Sequence, residues 1–94
     1  MSKRDVYVQK MKLQLDEMNA NMTALEAKAK EAKQDARARY EEEMDKLRAD
    51  SRAASAKLDE IVAAGEDGWH KMVSQMEKLR DAFTHSFHYF KSQV

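Results

Sequence analysis

The 94-residue chain has no cysteine, no proline and only two glycines, Gly65 and Gly68. Without cysteine there is no disulfide, no thiol nucleophile and no cysteine-held zinc, and the redox compartment stays open. Without proline, and with both glycines at one place, the backbone has a single evident point of reversal. No run approaches the roughly 18 apolar residues of a membrane span. The opening Met1-Ser2-Lys3-Arg4-Asp5-Val6-Tyr7 leads into no apolar signal region, so a cytoplasmic protein is the default expectation. An excess of one charge is missing too. Seventeen basic residues face 17 acidic ones, and the balance holds on either side of Gly65. A nucleic-acid binder would show a basic excess or stripe, so no nucleic-acid partner is expected.

What is present is charge in quantity, 36% of the chain, with much Ala, Glu, Lys, Leu and Arg. That bias belongs to long helices and coiled coils, and the length leaves room for one domain. Ser2 followed by Asp5 has the spacing of a helix start, with Ser2 placed to accept from an early backbone N–H. No breaker follows until Ala64. The apolar spacing predicts one long helix over 2–64, a turn over 65–68 and a second helix over 69–93. Val8, Met11, Leu15, Met18, Met22, Leu25, Ala29, Ala32 and Ala36 alternate steps of three and four. The next heptad position is Arg39, yet the stripe moves to Tyr40 and continues through Met44, Leu47, Ser51, Ala54, Leu58 and Ile61. The added residue is expected to unwind any supercoil locally. A three-helix monomer with a break near Ala36–Tyr40 is the alternative.

The first helix also has a second apolar side. Val6 and Leu13 lie a heptad apart, away from Val8, Met11 and Leu15, and continue into Ala20 and Ala27. A helix apolar on two sides sits between neighbours, which points to a bundle of three or more helices. Acid-before-base pairs at i,i+4, such as Glu26–Lys30, Asp35–Arg39 and Glu42–Lys46, support the helix and specify no partner.

The turn is Ala63-Ala64-Gly65-Glu66-Asp67-Gly68. Gly65 suits a left-handed position after the helix, and Asp67 suits the cap of the next one. The second helix carries a bulkier stripe: Trp69, Met72, Val73, Met76, Leu79, Phe83, Phe87, Phe90 and Val94. A short loop makes it antiparallel to its predecessor, along Leu58, Ala54, Leu47, Met44 and Tyr40. A helical hairpin of this kind leaves the stripe from Val8 onward uncovered. A second copy is expected to cover it, in a homodimer or tetramer. The expected seam is Val8, Met11, Leu15, Met18, Met22, Leu25, Trp69, Met76, Leu79, Phe83, Phe87 and Phe90.

Chemistry is sparse. His85 and His88, with Asp81 four residues before His85, could present two imidazoles and a carboxylate on one helix face. The spacing specifies no fourth ligand, and exposed polar residues beside the Phe stripe are the simpler reading. The methionines offer soft sulfur ligands for copper(I), but their heptad positions read as core. Glu41-Glu42-Glu43 reads as a solvated helix face. No catalytic constellation and no cofactor is expected, since an inward Glu-x-x-His motif is missing.

The opening Lys3-Arg4-Asp5-Val6-Tyr7-Val8-Gln9-Lys10-Met11-Lys12 resembles a group of small bacterial coiled-coil-domain proteins, some labelled stress-response proteins. So do Gln14–Ala20, Leu25–Ala29 and the turn from Gly65 to Gly68-Trp69, and the likeness covers most of the chain. It implies a bacterial, cytoplasmic, non-enzymatic helical protein and brings no catalytic residues with it. The sequence thus favours a structural or protein-interaction role. A membrane-surface role, with the Phe-rich segment as an amphipathic anchor, is the first alternative. Divalent-metal binding through the histidines is the second.

Overall fold

The computed structural model describes residues 2–31, 33–65 and 68–93. Among these the chain forms three α-helices and no strand: α1 (Lys3–Lys30), α2 (Gln34–Ala63) and α3 (His70–Gln93). They lie side by side in a bundle of 51 × 19 × 18 Å. The 30 residues of α2 give roughly 45 Å at 1.5 Å per residue, so α2 runs nearly the whole bundle. No described helix is long and apolar enough to cross a membrane.

The helix expected over 2–64 is therefore two helices, and the hairpin is a three-helix bundle. Glu31 stays near helical angles (φ −83°, ψ −6°), while Lys33 is extended (φ −61°, ψ 152°). The stripe residue Ala32 lies outside the described residues. Magnitudes explain why the chain reverses without glycine or proline. A straight continuation would leave Met11, Leu15 and Leu25 in water. Folding α1 back buries all three, each worth about 1.5–3 kcal/mol. The reversal gives up a few helical hydrogen bonds at a net of about 1 kcal/mol each. Burial wins.

Contacts along the bundle fix the directions. Arg4 Nη1 donates to the Ala64 carbonyl at 2.7 Å, and Ser51 Oγ donates to Asn19 Oδ1 at 2.5 Å. Arg48 pairs with Glu26. The residue numbers fall on α2 as they rise on α1, so the two helices are antiparallel. Ser86 Oγ to Asp50 Oδ2 at 3.0 Å and Tyr40 Oη to the Gln93 carbonyl at 2.7 Å set α3 antiparallel to α2. That register brings Phe83 level with the small residues Ala53 and Ala54, and both Phe83 and Ala54 are fully buried. Large against small permits close approach.

Several expectations hold. Ser2 Oγ accepts from the Asp5 N–H at 3.2 Å. The stripe shifts at Tyr40: Arg39 is exposed, and Met44, Leu47, Ser51, Ala54, Leu58 and Ile61 are all buried. The turn differs from expectation. Gly65 is not left-handed, and Ala64 closes α2 in an extended conformation (φ −71°, ψ 148°). The chain instead leaves α2 through Ala64, whose N–H still bonds to the Glu60 and Ile61 carbonyls. The capping role of Asp67 and the stripe position of Val94 lie outside the described residues.

A methyl group at Gly65 would meet nothing within 4 Å. Gly65→Ala is therefore expected to stabilise by about 0.4–1 kcal/mol, through a less free unfolded chain. Thermal unfolding should show Tm raised by a few degrees; a fall would mean that the position needs a left-handed backbone.

Candidate functional site

The residues expected to form a seam between chains instead meet within one chain. Met11, Leu15, Leu25, Trp69, Met76, Phe83 and Phe90 are buried in one core. Val8, Met18, Met22, Leu79 and Phe87 pack half-buried against it. α1 turns the stripe from Val8 onto α2 and α3 of the same chain. Methionine sulfurs are engaged in the same packing: Met18 Sδ lies 3.7 Å from Thr84 Oγ1 and Met11 Sδ 3.9 Å from Arg80 Nη1.

Asp81, His85 and His88 lie exposed on the outer face of α3. Asp81 is turned to the Arg80 guanidinium at 3.0 Å, and the His88 ring stands edge-on to Phe87. Among the described residues no three His, Cys, Asp or Glu side chains group so as to hold a metal ion. Glu41 and Glu42 are exposed, and Glu43 pairs with Lys46 at 3.5 Å, where the sequence pointed to Glu42.

Tyr7 of α1 packs against Trp69, just before α3, with ring centroids 5.5 Å apart, and the His70 ring lies 4.0 Å from the same indole. The Tyr7 hydroxyl is buried and takes no hydrogen bond among the described residues. Burial pushes this phenol above its ordinary value of 10.0; Glu77 adds to the rise and Arg80 opposes it. A buried hydroxyl without a partner costs about 1–3 kcal/mol. Tyr7→Phe should thus raise stability by about 1 kcal/mol in thermal or urea unfolding. The sign of the pH dependence follows from the raised pKa. Above pH 10 the unfolded chain releases this proton and the folded one retains it, so stability falls as pH rises. In Tyr7→Phe that alkaline fall should be shallower; an unchanged slope would place its source elsewhere.

Two kinds of surface remain. The first is a groove of about 290 Å³ between the C-terminal end of α1 and the start of α2. Its charges answer one another: Arg48 pairs with Glu26 and with Asp45 at 3.0 Å, and Lys30 reaches Glu26 at 4.0 Å. They do not converge on an empty point where a ligand would sit. The second is the outer face of α1. Val6 is 53% exposed and Leu13 69%, and Ala20, Ala24 and Ala27 continue the strip in the open. Seven residues turn a helix by 700°, so Val6, Leu13, Ala20 and Ala27 drift only about 20° per step along one line. The sequence pattern suggested a helix with neighbours on both sides. In the bundle one side is covered by α2 and α3, and the other has no cover within the chain. Val62, 52% exposed beside Val8 and Leu58, was not singled out by periodicity, which places it one residue off the α2 stripe.

No protein-family model, no curated protein and no solved structure matches the chain.

Proposed function

We propose that the chain is a non-enzymatic helical interaction module whose contact surface is the outer strip of α1. One observation carries this reading: the largest exposed apolar side chain of the strip, Leu13, is 69% exposed on a helix whose opposite face packs against the core. Apolar side chains at seven-residue spacing are the signature of a helix that receives another helix. The bundle interior serves stability, since its buried residues are apolar apart from Ser51. A membrane-surface role would require Phe83 and Phe90, both fully buried, to leave that interior.

A photo-crosslinking residue at position 13 tests the reading in cells. Discrete adducts are expected from position 13 and not from the exposed polar position Lys78 on α3. Excess wild-type chain should compete them away, and a Leu13→Glu chain should not. Equal adducts from both positions would overturn the assignment. Pelleting of the purified chain with anionic vesicles, with α3 losing its protection from hydrogen exchange, would favour the membrane-surface role instead.

A further inference from the structure

We infer that the occupant of the α1 strip is a second copy of this chain, paired antiparallel with Leu13 against Leu13 at the two-fold axis. The inference rests on the interaction reading above and adds a partner, a direction and a register. It is carried by the charges that border the strip. Lys10 and Glu17 lie on one border, three residues before Leu13 and four after it. Gln9 and Asp16 lie on the other border, at the mirrored offsets. All four are exposed, and among the described residues none of them takes a hydrogen bond or ion pair within the chain.

These borders discriminate between the ways two copies can meet. In an antiparallel pair the same border of each helix faces its counterpart, as the e and g positions of antiparallel coiled coils do. Centred on Leu13, residue i then stands opposite residue 26 − i, give or take one. Lys10 of each copy meets Glu17 of the other, giving two reciprocal ion pairs. On the opposite border Gln9 meets Asp16, a neutral donor against a carboxylate. Val6 falls against Ala20 of the second copy, a large side chain against a small one. Sliding the register so that Leu13 meets Ala20 would use more of the strip. It would also set Glu17 against Glu17 and Asp16 against Asp16. A parallel pair brings unlike borders together and sets Glu17 of each copy beside Asp16 of the other. Like charges at close quarters select against both. Of these three arrangements, the antiparallel one centred on Leu13 satisfies the apolar strip and the charges together.

The strip is narrow, with one leucine and one valine per copy, so the area is below the roughly 1,200 Å² of a standard stable interface. Association is accordingly weak, with half-dimerisation on the order of 100 μM. Sedimentation equilibrium of the full chain, from about 10 μM to about 1 mM at low salt, reads it directly. Lys10→Glu and Glu17→Lys should each weaken the dimer about fivefold, since each turns both reciprocal attractions into repulsions. The double variant Lys10→Glu with Glu17→Lys should return to within about twofold of the wild type, because the exchanged charges again face opposites. Leu13→Ser should abolish the dimer without lowering the helical circular-dichroism signal. A wild-type chain monomeric up to 1 mM would overturn the proposal. So would a double variant as weak as the singles, or a Leu13→Ser dimer as strong as the wild type. Should the chain stay monomeric while position 13 crosslinks to a different protein, self-pairing falls and the interaction reading stands.

Discussion

The bundle depends on α2 offering one narrow stripe that both other helices share. Its buried positions run Met44, Leu47, Ser51, Ala54, Leu58 and Ile61, so the middle is small and the ends are bulky. The small middle lets the helices come close where Phe83 of α3 is deepest. It also lets Ser51, the one buried polar residue among those described, reach Asn19 of α1 across the helix pair. Direct meeting of α1 and α3 is left to longer side chains such as Tyr7 with Trp69 and Thr84 with Met18. A bulky residue at position 51 or 54 would push both neighbours outward at once, costing about 1–3 kcal/mol through overpacking. Every other contact sits downstream of that stepped profile.

The helix ends show how a chain almost free of glycine closes its elements. The last carbonyls of a helix need donors from outside it, and a left-handed glycine is the common remedy. Here each of the three C-terminal ends takes a side chain from another helix. Arg37 Nη2 reaches the Lys30 carbonyl at 3.3 Å, Arg4 Nη1 the Ala64 carbonyl, and Tyr40 Oη the Gln93 carbonyl. Two of the three are cations at the negative end of a helix dipole, the favourable sign. They also tie each terminus to a neighbour, so capping and tertiary register are one event. Gly65 is thereby released from the role its position suggested.

Much of this was legible in one dimension, and the failures have a common cause. The stripes of α2 and α3, the Ser2 cap and the phase shift at Tyr40 follow from spacing alone. The reversal between α1 and α2 was hidden because alanine holds the heptad positions there. Alanine satisfies the apolar pattern and has the best helix propensity, while burying too little to hold the pattern together. The phase shift at Arg39–Tyr40 was the trace of the break, displaced a few residues downstream. Coverage was misread for the same reason. Once α1 is free to turn, Met11, Leu15 and Leu25 are buried inside the chain and Met18 and Met22 pack half-buried against them. The two apolar sides of α1 were visible, but periodicity cannot rank them. Bulk can: the methionine–leucine side outweighs a line of one valine, one leucine and alanines.

That ranking gives the leftover strip its meaning. A helix that has placed its large residues inside has no folding use for Leu13 on the far side, and a polar residue there would cost the bundle nothing. A single exposed leucine is ordinary on a protein surface. Its alignment with Val6 and three open alanines, between borders whose charges are unpaired within the chain, is less so. Some charges elsewhere on the outer surface pair locally, as Lys57 with Glu60 at 2.6 Å and Lys46 with Glu43 do on α2. Local pairing fills charge valence without reference to anything outside the chain. Charges left open beside an apolar line are instead complementary to something that carries the reversed order, and an antiparallel copy of the same helix carries it by symmetry.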